Sequence, residues 1–339
     1  MLKGILKYAI AIVALLGALP ACTTTMSTPE SGGYVSNPQV QAFIDEMVAR
    51  HGFSKQELEK VFSRAQRSDS ILEAMSRPAE KTKPWYEYRK IFLTQSRIDG
   101  GVTFWNQHAD ALAKAEKAYG VDAQVIVAII GVETRYGGNT GKYRVLDALT
   151  TLAFDYPPRS KFFRSELEQY LLMARADHID LLSTKGSYAG AMGYGQFMPS
   201  SYQHYAVDFD KDGIRDLWDS PMDIVGSVAN YLHEHGWEPG AAVTMRASVT
   251  GTRYESVIKK GLKPETPVKK LRAEGITPSK PLPNDTLAAL ISLDQETGPE
   301  YWLGLNNFYV ITRYNHSPLY AMAVYQLSEE IRQARERMH

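Results

Sequence analysis

Cysteine and net charge are both nearly absent from this chain. The sequence of 339 residues has one cysteine, Cys22, so no intramolecular disulfide can form and the fold must be stabilised by packing. Its 38 basic residues balance 38 acidic residues, and a neutral surface disfavours binding to nucleic acid. The composition, 44% hydrophobic and 22% charged, is that of a globular protein with room for a core and one or two accessory domains.

Several common catalytic motifs are missing as well. The sequence contains no Gly-x-Ser-x-Gly motif, which leaves a serine hydrolase unsupported. The histidines of His233-Glu234-His235 have the wrong spacing for two ligands on one helical face. Residues 137–142 lack the first glycine and the final serine or threonine of a phosphate-binding loop.

The first 21 residues have the pattern of a secretory signal. Lys3 and Lys7 form a basic start, and the apolar run from Tyr8 to Leu19 is too short for a comfortable membrane span. The run ends in Leu19-Pro20-Ala21-Cys22, which resembles a bacterial lipobox, where the cysteine becomes a lipidated N-terminus. A leftover thiol, or an ordinary signal peptide cleaved nearby, is the alternative interpretation.

Lipidation of Cys22 predicts a membrane-anchored protein that faces the periplasm. Thr23 follows the cysteine. Lipoproteins that resemble this one are retained in the inner membrane mainly when Asp stands there, so we expect the outer membrane. Residues 22–37 are rich in Thr, Ser, Gly and Pro, which predicts a flexible tether after the lipid.

Helical periodicity dominates the first half of the mature chain. Apolar residues from Val40 to Val48 recur at helical spacing, and Ser54 with Glu57 has the pattern of a capping box for the next helix. Further helices are predicted at residues 111–118 and 123–132, separated from their neighbours by loops that contain Gly and Pro.

The second half changes character after Trp237. Residues 242–249 and 264–271 hold β-branched side chains between Gly and Pro, which predicts a small module of short strands, and residues 319–338 return to an amphipathic helix. The expected class is mainly α, with a minor β part. The expected domains are a helical domain (38–103), a catalytic core (104–238), a β-rich module (239–305) and a C-terminal segment (306–339) that completes the cleft and the helical domain.

A lone carboxylate stands at the end of the most apolar predicted helix. Residues 125–132 carry no polar side chain, and Glu133 follows them directly. A carboxyl group half-buried there should have a raised pKa, which a general acid for glycosidic cleavage needs near neutral pH. From this segment alone, an exposed helix-end Glu paired with Arg135 is the more ordinary interpretation.

A second segment, residues 187–201, is dense in glycine and interleaved with aromatic residues, Ser and Gln. Such a loop lets the backbone approach a bulky ligand closely. A structural turn before a helix capped by Ser200 or Ser201 is the alternative, and it explains single glycines better than several glycines around Gln196.

Three segments together resemble one family of bacterial enzymes. They are Gly131-Val132-Glu133-Thr134-Arg135-Tyr136-Gly137, the run from Gly190 to Ser201, and Val228-Ala229-Asn230-Tyr231. Long, ordered and spaced in this way, they resemble the membrane-bound lytic murein transglycosylase B family over nearly the whole mature chain. The resemblance implies a lysozyme-like helical catalytic core flanked by an α domain and a small β domain.

The resemblance also implies a role for each matching residue. Glu133 would act as catalytic acid and then as base, with Ser187 and Gln196 lining the sugar site beside it. Further cleft positions are matched by Tyr88, Arg159, Tyr231, Tyr314, Asn315 and Tyr320. The family usually has two consecutive arginines after Tyr-Pro, whereas this chain has Pro158 before Arg159, so one cationic contact to the glycan or peptide stem is missing.

The implied reaction cleaves the β-1,4 bond between N-acetylmuramic acid (MurNAc) and N-acetylglucosamine (GlcNAc) and leaves a 1,6-anhydromuramyl end. Glycosidases normally use two carboxylates, and in enzymes that resemble this one the N-acetyl group of the substrate replaces the second. No cofactor is expected for catalysis. The expected partners are peptidoglycan glycan strands, the outer membrane through the lipid, and other cell-wall enzymes.

Two alternatives stay open at the level of sequence. In a hydrolytic muramidase, water rather than the O6 hydroxyl resolves the intermediate. In a non-catalytic lipoprotein, the chain only binds peptidoglycan, although Glu133 argues against that hypothesis.

The segment from 208 to 219 has the pattern of an EF-hand calcium loop, with oxygen ligands at positions 1, 3 and 5 and Gly at position 6. Asp219 stands where Glu is usual, and its shorter side chain reaches less far. Asp223, at the start of the next helix, is the rival that the resembled family favours. An acidic turn without an ion is the alternative interpretation. The expected ligands of a structural Ca²⁺ are Asp208, Asp210, Asp212, Ile214 and either Asp219 or Asp223.

Overall fold

The computed structural model describes residues 33–76 and 83–338. The predicted signal sequence, Cys22 and most of the predicted tether lie outside the described residues. Within the described ranges, no helix combines the length and the apolar character that crossing a bilayer requires. A short 3-10 helix at Gly33–Ser36 opens the described chain and carries the buried Tyr34.

Helices make up most of the described chain, which confirms the mainly α class expected from the sequence. In chain order they are α1 (Pro38–His51), α2 (Lys55–Phe62), α3 (Asp69–Ser76), α4 (Trp85–Phe92), α5 (Gln95–Gln107), α6 (Ala109–Tyr119), α7 (Ala123–Thr134), α8 (Val145–Asp155), α9 (Ser160–Ala176), α10 (Pro199–Tyr205), α11 (Pro221–Glu234), α12 (Tyr254–Ile258), α13 (Val268–Ala273), α14 (Asn306–Tyr314) and α15 (Pro318–Glu336). A second 3-10 helix, Pro157–Arg159, precedes α9.

Polar side chains start several of these helices. The Ser54 hydroxyl accepts a hydrogen bond from the N–H of Glu57 at 3.3 Å, at the capping motif identified in the sequence. The Ser317 hydroxyl accepts one from the N–H of Tyr320 at 3.3 Å at the start of α15. Such caps satisfy N–H groups that have no partner within the helix. The cap at Ser317 also fixes the backbone of Tyr320, which matters for the site.

The helices pack as two neighbouring groups around a continuous core. In the first group α1, α2 and α3 lie beside α8 and α9, where Arg164 donates to Glu46 at 2.6 Å and the hydroxyl of Tyr34 donates to Asp155. In the second group α7 is surrounded by α5, α6, α11 and α15, and α4 packs on α15.

Residues 38–103, predicted from the sequence as one helical domain, contribute to both groups, because α4 and α5 join the second. The composition of α7 explains this arrangement. Ten of its 12 residues are buried, and a helix that is apolar all round needs neighbours on every side. Helices that are distant in sequence, such as α5 and α15, therefore converge on α7.

The strands of the described residues form two antiparallel sheets. A two-stranded ladder joins β1 (Tyr143–Arg144) to β2 (Lys185–Gly186). The larger sheet has the order β4-β6-β7-β3-β5 and covers its own small core. Its strands are β3 (Thr244–Val249), β4 (Thr266–Pro267), β5 (Ile276–Pro278), β6 (Leu287–Gln295) and β7 (Gly298–Gly304).

The strand predicted at 242–249 is confirmed by β3, whereas the prediction of a strand over 264–271 is largely wrong. Only Thr266–Pro267 pairs in the sheet, and α13 begins at Val268. The physical reason is that Val268 and Leu271 stand three residues apart and bury one face of a single helical turn, with lysines between them that favour a helix.

Candidate active site

Glu133 is the last residue but one of α7, and it is half-buried at the edge of the core. The helix ends immediately after it, because Arg135 and Tyr136 adopt left-handed backbone angles, with φ of 53° and 60°. The N–H of Arg135 still donates to the carbonyl of Gly131 at 3.1 Å. The backbone thus turns sharply within two residues of the carboxyl group, which brings this group to the border between core and solvent.

Tyr320, in the first turn of α15, holds the carboxyl group of Glu133. Its hydroxyl donates to Oε1 of Glu133 at 2.6 Å. Burial, and next to it the negative charge of Glu133, raise the pKa of Tyr320 well above its ordinary value. The hydroxyl therefore keeps its proton at any physiological pH and remains a donor to Glu133.

A second tyrosine, Tyr314, experiences the negative charge of the same carboxyl group, and it ties α14 to the glycine-rich loop of residues 187–198. Burial and then the charge of Glu133 raise the pKa of Tyr314 well above its ordinary value. Its hydroxyl donates to the carbonyl of Gly195 at 2.6 Å. The ring of Tyr231 lies 4.7 Å from the ring of Tyr314, and its hydroxyl donates to the carbonyl of Arg313 at 2.6 Å.

The glycine-rich loop from 187 to 198 is held in shape by its own hydrogen bonds. Met192 and Phe197 pair through two backbone bonds of 2.9 Å, which closes a narrow turn. The hydroxyl of Ser187 accepts the N–H of Ala191 at 3.0 Å. The polar group of Ser187 thus orders the loop backbone, in addition to the sugar contact that the resemblance implies.

Gln196 occupies a left-handed backbone position, with φ of 51°. A non-glycine residue rarely adopts this conformation, which costs roughly 1–2 kcal/mol unless other contacts offset it. Its side-chain amide donates to the carbonyl of Thr140 at 3.1 Å and to that of Gly193 at 3.0 Å. Gln196 therefore ties the loop to the segment that follows α7.

Thr134 and Tyr194 also belong to the site, although no sequence motif singled out their contacts. The buried hydroxyl of Thr134 donates to the carbonyl of Tyr194 at 3.0 Å and accepts the N–H of Gly137 at 3.1 Å. A Cβ atom on Gly137 would lie 2.0 Å from the ring of Tyr194. These contacts press the glycine-rich loop directly against the end of α7.

Of the other predicted cleft residues, Tyr88 comes close to the site. It is buried in α4, and its ring centroid lies 5.2 Å from that of Phe92. After burial and the charge of Glu133, Tyr88 is among the smaller causes that raise the pKa of Tyr320. Asn315 directly follows Tyr314, the last residue of α14. Arg159 is exposed before α9, where its guanidinium stacks over the ring of Phe162 at 4.3 Å. Its described contacts do not join it to Glu133.

The predicted calcium loop brings three carboxylates together. Oxygen atoms of Asp208, Asp210 and Asp212 lie within 4.8 Å of one another. The turn depends on Gly213, which has φ of 96° and whose N–H donates to Asp208 at 2.9 Å. Clustered carboxylate oxygens suit a hard cation such as Ca²⁺.

The two candidates for the last ligand have different surroundings. Asp223 is fully buried, and its carboxylate accepts the N–H of Phe209 at 2.7 Å and that of Asp216 at 2.8 Å. Asp219 is exposed, and its own N–H donates to Asp216 at 2.9 Å. Asp223 therefore orders the loop backbone from its buried side. The cluster of three aspartates includes neither Asp219 nor Asp223.

The carboxyl group of Glu133, held by Tyr320 at the surface of a helical core, can exchange a proton with a ligand. The adjoining glycine-rich loop lets a bulky polar ligand come close to it. These features together define a glycan-cleaving enzyme of the lysozyme-like class.

Comparison with known proteins agrees with this class. A family model described as the transglycosylase SLT domain matches residues 36–329. Membrane-bound lytic murein transglycosylase B of Escherichia coli (strain K12) is 50% identical over 313 residues, which cover 90% of this chain and 85% of that protein.

Two solved structures resemble the whole described fold. Catenated lytic transglycosylase SltB1 from Pseudomonas aeruginosa has a TM-score of 0.86 and 52% identity, covering 89% of this chain and 99% of that one. Escherichia coli lytic transglycosylase Slt35 in complex with calcium has a TM-score of 0.82 and 50% identity, covering 90% and 96%.

The chain therefore belongs to the transglycosylase SLT domain family, and the resemblance stated from its sequence is confirmed. Its enzyme class is that of the lytic transglycosylases, which are lyases that act on a glycosidic bond. The expected lysozyme-like, mainly helical fold is confirmed as well.

Tyr320→Phe tests the hydrogen bond to Glu133 while keeping the buried ring. We expect kcat to fall roughly tenfold or more, because a hydrogen bond to a charged group contributes about 1.5–3 kcal/mol. The alkaline limb of the pH–rate profile should move to higher pH, since the carboxylate loses a bond that favours its ionised form.

Steady-state kinetics on a soluble GlcNAc-MurNAc oligosaccharide measures both effects. Tyr301→Phe is the matched control, because its hydroxyl bonds to Tyr254 in the β-rich module at 3.1 Å. A Tyr320→Phe enzyme with wild-type kcat and pH profile would show that the hydrogen bond does not serve catalysis.

Proposed function

We propose that this protein cleaves the β-1,4 bond between MurNAc and GlcNAc in peptidoglycan and forms 1,6-anhydromuramyl ends, with Glu133 as the single acid/base. The placement of Glu133 carries the proposal, since it is half-buried at the end of α7 and receives a hydrogen bond from Tyr320. The Escherichia coli relative, by name a lytic murein transglycosylase, supports peptidoglycan as the substrate.

In the first step Glu133 acts as an acid. Because Tyr320 donates to Oε1, the transferable proton of the carboxylic acid resides on Oε2. This proton passes to the bridging oxygen as the bond to the anomeric carbon of MurNAc breaks, and the GlcNAc fragment leaves as an alcohol. The N-acetyl group of MurNAc stabilises the electron-poor anomeric carbon in place of a second carboxylate.

In the second step the carboxylate of Glu133 acts as a base. It takes the proton of the O6 hydroxyl of MurNAc while O6 bonds to the anomeric carbon and displaces the N-acetyl oxygen. The carboxylic acid is thereby restored, and no water is consumed. A ring closure within one sugar has a high effective molarity, which lets it outrun attack by water.

The other matched residues are proposed to shape the cleft around this centre. Tyr231 and Tyr314 form a tilted pair of aromatic rings, and aromatic rings suit the faces of sugars. Ser187 and Gln196 fix the loop that would receive the N-acetyl group. The proposed cleft also includes Tyr88, Arg159, Asn315 and Tyr320.

Digestion of purified peptidoglycan by the wild-type protein, beside Glu133→Gln, tests the proposed function. Mass spectrometry of the products should show muramyl ends lighter by one water, and these ends should be absent with the variant. Reducing ends that depend on Glu133 would instead show a hydrolytic muramidase. Absence of any product that depends on Glu133 would favour a protein that only binds peptidoglycan.

We further propose that the loop from 208 to 214 holds a structural Ca²⁺ ion. Asp208, Asp210 and Asp212 would provide carboxylate oxygens, and Ile214 would add its backbone carbonyl. The likeness to a solved structure of Slt35 in complex with calcium supports the ion. The carboxylate of Asp223 is buried and accepts hydrogen bonds from backbone N–H groups, so we propose that Asp223 mainly supports the loop. Asp219 is then the other candidate for the last Ca²⁺ ligand.

Calcium binding should appear as a stability increment. An ion at 100 times its Kd adds about 2.7 kcal/mol to the free energy of unfolding, so chelation should lower the melting temperature and added Ca²⁺ should restore it. Asp210→Asn should abolish this increment. For Asp219→Asn and Asp223→Asn, we compare the rise in melting temperature on adding Ca²⁺ rather than the melting temperature itself. The variant that loses this rise identifies the ligand. An unchanged melting curve on chelation of the wild-type protein would exclude the ion.

We propose that a lipid on Cys22 anchors the enzyme to the outer membrane, where it faces the periplasm and other cell-wall enzymes. The lipobox-like sequence and Thr23 support this proposal. The Escherichia coli relative, which is membrane-bound by name, supports it as well. Cys22→Ser should release the protein from the membrane fraction, and fractionation with metabolic labelling by palmitate checks this. Unchanged sedimentation with the outer membrane would contradict the anchor.

A further inference from the structure

A buried arginine, Arg97, reaches from α5 to the end of α7. Only 7% of its surface is exposed. Its guanidinium donates to the carbonyl of Gly131, and at 3.4 Å to that of Val132. These two carbonyls belong to the residues directly before Glu133, so the contact lies within one helical turn of the acid/base.

The surroundings of this arginine are unusual for a buried charge. Arginine that is removed from water normally pairs with a carboxylate, because desolvation costs several kcal/mol. Among the residues that the structure describes, no carboxylate lies within ion-pair distance of Arg97. Burial, and then the charge of Arg135, lower the pKa of Arg97.

Two features compensate for the missing carboxylate. The last carbonyls of α7 carry the negative end of the helix dipole, which favours a cation at that position. The guanidinium also lies 5.2 Å from the ring centroid of Phe92, within the range of a cation-π contact. The charge of Arg97 is therefore balanced mainly by the helix end that carries Glu133.

The same helix end is fixed from a second direction by Tyr136. Its hydroxyl donates to the backbone carbonyl of Arg97 at 2.8 Å. A Cβ atom on Gly131 would lie 2.5 Å from this hydroxyl, so α5 and α7 meet here with no space to spare. Arg97 thus contacts the end of α7 through its side chain, and it contacts Tyr136, in the turn that follows, through its backbone carbonyl.

Carbonyls at a helix end need partners outside the helix. For α7, Asn139 donates to the carbonyl of Thr134 at 2.8 Å, and Tyr136 donates to that of Ile130 at 3.4 Å. The side chain of Arg97 supplies the contact to Val132. Loss of this contact would leave a buried carbonyl to seek another partner, and the last turn would rearrange.

We propose that Arg97 is a positioning residue for the transglycosylase reaction. By holding the carbonyls of Gly131 and Val132, it locks the last turn of α7 and keeps the carboxyl group of Glu133 aimed at the scissile bond. The inference rests on the proposed catalytic role of Glu133. Proton transfer depends steeply on geometry, so small displacements of this turn slow the reaction without weakening the binding of glycan to other elements.

Arg97→Met tests the proposal, because methionine keeps an apolar stem of similar reach and removes the donors and the charge. We expect kcat to fall at least about tenfold while KM stays within about twofold. Arg97→Lys keeps a charged donor but not the planar fork, so it should recover part of the lost kcat.

Arg164→Met is the matched control. Arg164 also stacks over an aromatic ring, that of Phe43 at 4.9 Å, but it pairs with Glu46 in the other helical group. This variant should keep the wild-type kcat. All rates are compared on a soluble GlcNAc-MurNAc oligosaccharide at a temperature well below the melting temperature of every variant.

The outcomes separate the inference from the proposed function. If Arg97→Met keeps a kcat within about threefold of wild type, or loses kcat and raises KM together, the positioning role is wrong. If Arg97→Met does not fold, Arg97→Leu, which also lacks the donors and the charge, decides, and a wild-type kcat for that variant overturns the proposal. If Glu133→Gln keeps the full wild-type activity, the proposed function itself is wrong.

Discussion

The structure depends on how one apolar helix ends. Helix α7 is buried on nearly every side, so its polar groups have to be satisfied where it stops. The backbone N–H groups of Arg135 and Tyr136, in the sharp left-handed turn, meet this requirement together with the guanidinium of Arg97. Because Glu133 lies in that last turn, we propose that the contacts that complete the helix also position its carboxyl group.

The electrostatics of the site follow from this placement. Tyr320 and Tyr314 sit in the core beside a carboxylate, and their raised pKa values keep both hydroxyls protonated. The Tyr320 hydroxyl donates to Glu133 and the Tyr314 hydroxyl donates to the glycine-rich loop, so the proposed acid/base and the proposed sugar-binding loop are held by neighbouring tyrosines. In the proposed reaction one carboxylate is sufficient, because the substrate supplies its own nucleophile.

Much of this could be predicted from local patterns. The apolar run ending in Glu133, the cap at Ser54 and the strand at 242–249 are each encoded by neighbours in sequence, and the structure confirms them. Family resemblance gave the lysozyme-like class, which the comparisons confirm. The roles of the site residues, the ion and the lipid stay predictions.

What could not be predicted depends on contacts between distant segments. Arg97 meets Gly131 across 34 residues, and Tyr320 meets Glu133 across 187 residues. No periodicity reveals such pairs, because they are set by how α5 and α15 pack on α7. The same reason explains why α4 and α5 leave the first helical group, and why the burial of Asp223 was not evident from the acidic loop.

The most direct test of the central claim is a crystal structure of the Glu133→Gln variant with a GlcNAc-MurNAc oligosaccharide spanning the cleft. The account predicts that the amide at position 133 lies about 3 Å from the bridging oxygen and that the N-acetyl group of MurNAc lies beneath the anomeric carbon. A second carboxylate on the opposite face of that sugar, with an ordered water between, would contradict it and indicate hydrolysis.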